Sequence, residues 1–438
     1  MSTQPLPGFR DFYPADFAFR AHIFETWRAV ARRYGFEEYD GPPLEPLELY
    51  TAKSGEEIVG QLYNFTDKGG REVSLRPEMT PTVARMVAAR AGGMKKPIRW
   101  FSIAQFYRYE RQQRGRLREF YQLNCDIFGE GGSLADAELI ALAIDLMRAF
   151  GLGPGDVRVR LSDRGVLIPL LAALTGVPDA LRGLQLAALD RLEKYGKEKT
   201  AEWILQDKSA NLSAEQIQKT LEIGSVRSLE QLQRVSEGVP DAKRGAESLA
   251  EVVGSLGEMG LAEFVDIDLS IVRGLAYYTS TVFELFDAAR TLRALAGGGR
   301  YDGLLRQLGG VDLPAAGFAI GDVVLGELLK ERGLAPAAAP AVDVFVAGVT
   351  DDDFPHVLRL THQLRDAGIR VEYALKPEAL GKQLKLADAR QAPLALVIGP
   401  DDRARGEVQL KDLRRKGQEA VKEQELVKVV QERLRAKG

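Results

Sequence analysis

The sequence predicts an α+β protein built around an antiparallel hairpin, with a helical middle and a separate C-terminal α/β domain. Three observations predict this. Two aromatic-rich, roughly alternating runs, PIRWFSIAQFYRYERQ and LREFYQLNCDIFG, bracket a short polar loop, QRGR, and read as paired antiparallel strands. Residues 171–249 are helical in pattern almost throughout. After LAPAAAPA, residues 334–341, the chain alternates strand and helix, the mark of a small α/β unit with a mixed or parallel sheet.

Taken in order, residues 16–34 form a helix, with Ile23, Trp27, Val30 and Tyr34 on one stripe. GFEEYDGPPLEP is a short strand ended by prolines, which cannot sit inside a ladder. REVSLRPEMTPTVARMVAAR reads as strand, turn and helix, and the hairpin follows. Ser133 is positioned to cap the helix SLADAELIALAIDLMRAFGLG, which stops at Gly151. Beyond the helical middle, LSIV and STVFE read as strand pieces joined by a compact RGLAYYT. A GGGRYDGLL loop leads into GFAIGDVVLGELLKERG, a strand running into a helix. Past the linker come VDVFVAGV (strand), FPHVLRLTHQLRDAG (helix), RVEYAL (strand), GKQLKLADAR (helix) and LALVIG (strand).

Composition excludes several chemistries. The 438 residues are 45% hydrophobic and 28% charged with net charge −3, ordinary for a soluble globular chain of two or three domains. No run of eighteen apolar residues occurs, so no membrane-spanning helix and no membrane partner are expected. The start, MSTQPLPGFRDFYP, lacks a basic segment followed by an apolar one, so no secretory signal is expected and a cytoplasmic location is. Cys125 is the single cysteine, and with His22, His356 and His362 it cannot supply a Cys/His zinc cluster, so no metal site is expected. A histidine-based hydrolase triad is disfavoured for the same reason. Neither GxxxxGK nor GxGxxG is present, so any nucleotide is bound without those phosphate loops. Residues 342–438 carry 18 basic against 16 acidic residues, too small an excess to establish a nucleic-acid partner.

Single residues carry the chemistry. Arg108, Arg111, Arg114, Arg116 and Arg118 cluster at the hairpin tip beside Tyr107, Tyr109 and Phe120. Guanidinium groups bind phosphate in a fork and aromatic faces stack on bases. A solvated basic turn is the plainer reading, but Arg108 and Glu110 fall in an alternating, apolar context where charge needs a partner. In SLRPEMTP, Glu78 and Thr80 sit between strand and helix, where Thr80 could equally be an N-cap. Gln122 and Asp126, four apart on a strand, share one face, while Leu123 and Cys125 face the other way. Arg273 ends an apolar run where another valine would be expected, and Tyr277 and Tyr278 follow it. A purely structural Arg273 would pair with a carboxylate such as Asp268.

Together these residues resemble a class II aminoacyl-tRNA synthetase, specifically the histidyl-tRNA synthetase family. FYRYERQQRGRLREFYQ resembles the class II hairpin motif, and SLRPEMTP the family's LRPEGT loop with Met79 in place of glycine. IVRGLAYYTSTVFE resembles the stretch specific to the histidine enzymes, and GGGRYDGLLRQLGG their second signature. GFAIG resembles the start of the third class II motif, which departs from the family in reading GDVVL, with Val324 where an arginine usually stands. The resemblance covers most of the chain and is weakest in the helical middle.

It implies the class II antiparallel sheet flanked by helices. Residues 1–170 and 250–333 would form the catalytic domain, 171–249 a helical insertion, 334–341 a linker and 342–438 an anticodon-binding domain. It further implies ATP with Mg2+, L-histidine and tRNA as ligands, and a homodimer whose interface includes the first helix and GFEEYDGPPLEP. By resemblance Arg273 and Arg108 are catalytic. Glu78, Met79, Thr80, Gln122, Asp126, Tyr277 and Tyr278 bind histidine, while Arg108, Glu110, Arg116 and Phe120 bind ATP. Gln112, Gln113, Arg114 and Arg118 meet the tRNA acceptor end. Three rivals share parts of this pattern: a non-catalytic regulatory subunit of ATP phosphoribosyltransferase, a prolyl or threonyl synthetase, and a pure tRNA-binding protein. The retained VRGL-YY pattern and C-terminal domain argue against the first, Asp126 and Tyr278 against the second, and the retained pocket against the third.

Overall fold

The computed structural model describes residues 3–51, 59–207, 210–273, 277–336, 340–415 and 417–436, and the backbone alone of residues 193 and 194. Residues 274–276, inside RGLAYYT, and 337–339, inside the expected linker, lie outside the described residues. The chain divides into two compact units, Met1–Pro336 and Ala337–Gly438.

The first unit is built on an eight-stranded sheet. Its strands are β1 (Glu37–Glu38), β5 (Ile98–Tyr107), β6 (Glu119–Phe128), β7 (Val157–Asp163), β8 (Val265–Ile267), β9 (Thr281–Asp287), β10 (Ala296–Arg300) and β11 (Ala315–Gly321), in the spatial order β1-β5-β6-β11-β10-β9-β7-β8. Pairing is antiparallel except at the two ends, where β1 joins β5 and β8 joins β7 in parallel. A smaller sheet of β2 (Leu44–Pro46), β3 (Tyr63–Thr66) and β4 (Glu72–Leu75) stands apart, in the order β2-β4-β3.

Alternation assigns the two faces of the large sheet. Leu123, Cys125 and Ile127 of β6 are buried in the main core with Leu285, Ala296, Phe318 and Ile320. The helix Ser133–Ala149 covers that face with Leu139, Ile140, Ala143 and Met147, all 1% exposed or less. The opposite residues form rows on the other face. One row reads Ser102, Asn124, Ala319, Gly297, Glu284, Arg160, Asp266 across seven paired strands. Further along the same face Ile98, Phe128, Val282 and Ala315 pack against Val83, Ala84 and Val87 of the helix Thr80–Arg90 and against Leu304 and Leu305, whereas the polar and small row lies beside the site.

Between β7 and β8 the described residues include the helical stretches Arg164–Thr175, Arg182–Gln206 with a kink at Gly196, Ala214–Ile223, Leu229–Ser236 and Pro240–Glu258. Their apolar residues, among them Leu170, Leu189, Leu221, Leu249 and Val252, join the main core.

Three local readings differ from the sequence expectation. Ser133 is the first helical residue, Gly132 holds the cap position, and the Ser133 hydroxyl donates to Glu251 at 2.8 Å. Thr80 likewise opens its helix, with Met79 at the cap position and no side-chain cap. LSIV is not a strand. Asp268 accepts from the Ser270 amide (2.9 Å) and hydroxyl (2.6 Å), a local turn that takes the chain off the sheet after Ile267.

The second unit has a five-stranded sheet of β12 (Val344–Gly348), β13 (Val371–Tyr373), β14 (Leu394–Ile398), β15 (Glu407–Asp412) and β16 (Gly417–Lys422), ordered β13-β12-β14-β15-β16. β12 runs parallel to β13 and β14, whereas β15 and β16 form an antiparallel hairpin. The hairpin and the final helix Leu426–Arg435 complete the unit beyond the last strand expected from sequence.

Candidate active site

A pocket of about 510 Å³ opens on the polar face of the large sheet. Glu78, Thr80, Arg108, Glu110, Arg116, Phe120, Gln122, Arg273 and Tyr277 all line it, so residues up to 199 apart in sequence converge as expected. None of the three histidines does. Among the described residues no helix is long and apolar enough to cross a membrane.

Arg273 lies flat on the sheet. Its Nη1 donates to Glu284 Oε1 at 2.5 Å, so its carboxylate partner is Glu284 and not Asp268, which pairs instead with Arg160 and Arg227. The guanidinium can lie flat because Gly297 beneath it has no side chain: a Cβ there would stand 2.1 Å from Nη1 and 2.5 Å from Cζ. Burial works against the Arg273 charge, but Tyr278 and Glu284 outweigh it and the net shift is upward. Its backbone φ is +53°, a left-handed conformation that is sterically costly for a residue with a Cβ, by about 1–3 kcal/mol, and persists only where surroundings enforce it. Arg164 does so. This buried side chain donates to the carbonyls of Val272 (2.9 Å), Arg273 (2.7 Å) and Tyr278 (3.1 Å). Sequence reasoning missed Arg164, whose partners lie more than a hundred residues away.

Asp126 is 2% exposed on the same face of β6 as Gln122 and Asn124, and unlike them neither it nor Tyr278 lines the pocket itself. One oxygen accepts from the Tyr301 hydroxyl at 2.5 Å, and the other, Oδ2, has no partner among the described residues. Burial raises its pKa to about 7, despite the opposing Tyr301 hydrogen bond. Gly317 opposite it admits the carboxyl, since a Cβ there would stand 2.1 Å from Oδ1. Asn124, between Gln122 and Asp126 on the same face, also lines the pocket, and its Oδ1 is buried without a partner among the described residues. The parity that selects Gln122 and Asp126 selects Asn124 equally, so this residue was findable from sequence. Tyr277 donates to Glu78 at 3.0 Å and packs edge-on against Tyr301. Tyr278 packs beside Tyr277 and is 8% exposed. Met79 is fully buried with Ala104 and Phe106 and does not line the pocket.

The hairpin tip forms the opposite wall. β5 ends at Tyr107, so Arg108 and Glu110 belong to the loop and not to an alternating strand. Arg108 lies over the Phe120 ring at 5.2 Å and donates to the Pro77 carbonyl at 3.0 Å. Glu110 is buried and ion-paired to Arg116. Gln112 and Gln113 are exposed, consistent with a role outside the pocket. Arg114 is ion-paired to Glu327 (3.2 Å) and Glu331 of the helix Asp322–Glu331, and Glu327 also accepts from the Gly115 amide at 3.1 Å. Arg118 lies over Tyr109 and donates to the Glu110 carbonyl. The tip is thereby clamped against Val324, which lines the pocket; a Cβ on Gly115 would stand 3.2 Å from Val324 Cγ2. Arg10, unremarked in the sequence, ties Glu119 to Asp322 at 3.3 and 2.8 Å and fixes β6 to the same helix.

Such a pocket places Arg108, Arg116 and Arg273 around a polar lining, an arrangement suited to stabilising charge on a phosphoryl group. Comparison with known proteins agrees. A family model described as histidyl-tRNA synthetase matches residues 8–322, and one described as an anticodon binding domain matches residues 343–433. The histidine–tRNA ligase of Opitutus terrae is 49% identical over 417 residues, covering 94% of each chain. That of Haloarcula marismortui is 38% identical over 414 residues, covering 93% of each. The crystal structure of histidyl-tRNA synthetase from Nostoc sp. PCC 7120 superposes with a TM-score of 0.83 at 26% identity, over 99% of this chain and 100% of that one. The chain belongs to the histidyl-tRNA synthetase family.

Proposed function

We propose that the protein joins L-histidine to the 3′ end of its tRNA in two steps, through a histidyl-adenylate made from ATP. The observation that carries this reading is the buried carboxyl of Asp126, with one oxygen held by Tyr301 and the other without a partner among the described residues. An imidazole N–H is the donor that satisfies it. A ligand without that donor leaves the group unpaired, and sites of this type discriminate by roughly 10⁴-fold or more. Tyr278 supports the ring, and Glu78, Thr80 and Gln122 take the α-amino group.

In the first step the histidine carboxylate attacks the α-phosphorus and pyrophosphate leaves. No proton must move, so the demand on the protein is preplaced positive charge. Arg273 supplies it from the sheet and Arg108 from the hairpin, with Phe120 stacking on adenine and Arg116 and Glu110 at its edge. Magnesium accompanies ATP. The described carboxylates facing the nucleotide fit an ion held by phosphate oxygens, since Glu284 is tied to Arg273, Glu110 to Arg116 and Glu78 to Tyr277. In the second step the tRNA terminal hydroxyl attacks the adenylate, with Gln112 and Gln113 at the acceptor end and residues 342–438 at the anticodon. Arg114 and Arg118 act there mainly by shaping the tip. The regulatory-subunit reading draws less support, because the near-full-length relatives carry the ligase name.

A homodimer and a cytoplasmic setting complete the reading. Phe65 and Leu44 of the small sheet are 48% and 38% exposed, apolar surface suited to a subunit interface. Sedimentation equilibrium at micromolar concentration should give twice 48.2 kDa, and the monomer mass would reject the dimer. Function is tested by tRNA charging with labelled histidine. ATP-dependent, acid-precipitable label that disappears after periodate treatment of the tRNA is expected; adenylate formation with no transfer to tRNA would overturn the ligase reading.

A further inference from the structure

Arg164 is an unusual group that the chemistry above does not use. It is 8% exposed, and among the described residues no carboxylate lies within ion-pair distance of it. Burial lowers its pKa, Tyr278 works against that, and nearby Arg273 adds to the lowering. A buried cation without a counter-ion is costly unless its donors are well used. Here they go to backbone. Nε and Nη2 share the Val272 carbonyl (3.1 and 2.9 Å), Nη2 also reaches the Arg273 carbonyl (2.7 Å), and Nη1 takes the Tyr278 carbonyl (3.1 Å). One planar fork thus grips both shoulders of the segment that carries Arg273, Tyr277 and Tyr278.

Arg164 is itself held rigidly. It opens the helix Arg164–Thr175, whose N-cap Asp163 accepts from the Val166 amide (3.1 Å) and from the Thr281 hydroxyl (3.1 Å). The Arg164 amide donates to the Ser280 carbonyl at 3.0 Å. Gly245 of the helix Pro240–Glu258 packs directly on the same turn, where a Cβ would stand 2.9 Å from the Val166 amide. The left-handed Arg273 backbone is therefore fixed by a side chain that is anchored to β7, β9 and the helical insertion together.

We infer that Arg164 is a positioning residue for adenylate formation: its fork holds the Arg273 carbonyl and its neighbours so that the Arg273 guanidinium stays over Gly297. The inference rests on the catalytic reading of Arg273. An arginine here, and not a lysine, follows from the geometry, because three carbonyls in an arc match a planar fork and not a single ammonium.

The test is a double-mutant cycle on histidyl-adenylate formation, measured by rapid quench at saturating histidine and ATP, with thermal melts of each variant. Arg164→Ala should slow the step by about 10- to 10²-fold, as expected for misplacement of a catalytic group by about an ångström. The KM for each substrate should move far less. Arg164→Lys should fall between wild type and alanine. Combined with Arg273→Ala, Arg164→Ala should add little further loss, since both act through one group. A near-normal rate in folded Arg164→Ala, with only a lowered melting temperature, would overturn the inference, as would losses that simply multiply in the double variant. Arg273→Ala at the wild-type rate would instead overturn the reading of the site itself. Should Arg164→Ala not fold, Arg164→Lys carries the same cycle, and wild-type speed in it would equally reject the role.

Discussion

Gly297→Ala is the smallest perturbation that displaces Arg273, the cation proposed for adenylate formation, without replacing it. The new Cβ would stand 2.1 Å from Arg273 Nη1, 2.5 Å from Cζ and 2.9 Å from Nη2. Ordinary contact begins near 3.4 Å, so the guanidinium must lift by about 1.3 Å. β10 cannot yield instead, because Gly297 is paired with Glu284 on one side and Ala319 on the other. Lifting Arg273 also stretches its 2.5 Å bond to Glu284. Displacing a catalytic group by about 1 Å can cost roughly 10²-fold, and losing one preorganised donor about 10²- to 10³-fold, or about 3–4 kcal/mol. Adenylate formation in Gly297→Ala should therefore slow by about 10²-fold, approaching Arg273→Ala. Histidine affinity should change much less, because Asp126 and Tyr301 remain in place. Rapid quench on the variant gives the rate, and a thermal melt confirms that it is folded. A folded variant within about twofold of wild type would refute the argument that Gly297 exists to seat Arg273.

Two further perturbations address the remaining walls. Val324→Arg should leave ATP affinity unchanged or weaker, because Val324 already lies at the clamped hairpin tip with no room toward Gly115; equilibrium ATP titration tightened tenfold, about 1.4 kcal/mol, would show that the pocket lacks a cation there. Asp126 titrates near 7 when folded and empty against about 3.9 in an unfolded chain, so the folded state holds the extra proton between those values and stability falls as pH rises through that window. Asp126→Asn should lose less stability between pH 5 and pH 8 than wild type, with a residual slope from Asp136 and Asp163, which burial also raises. An equal loss of unfolding free energy between pH 5 and pH 8 in Asp126→Asn and wild type, read from denaturant melts, would refute the desolvation of Asp126.

What the sequence made legible was local and periodic. The hairpin and its face assignment follow from alternation over ten-residue strands, which is why Gln122 and Asp126 emerged correctly on one face. Asn124 obeys the same parity and lines the same pocket, so alternation alone reaches it. LSIV misled because an apolar run resembles a buried strand, whereas a single carboxylate, Asp268, turns the chain there. Other roles depend on partners far apart in the chain and leave no local trace. Arg164 grips carbonyls 108 to 114 residues away, and Tyr301 reaches Asp126 across 175. The basic hairpin tip reads as a nucleic-acid surface from composition alone, yet Arg114 is ion-paired to a helix 213 residues on, so part of that charge serves to fix the pocket wall.

The central claim is that this pocket selects histidine and activates it with ATP. ATP–pyrophosphate exchange, run with each of the twenty amino acids in turn, tests it most directly. Histidine alone should support exchange, because on the proposed reading its imidazole N–H is the donor for the buried Asp126 carboxyl, and Asp126→Asn should depress that exchange at subsaturating histidine. Exchange driven by proline, by threonine or by several amino acids alike, or none with histidine, would contradict the account.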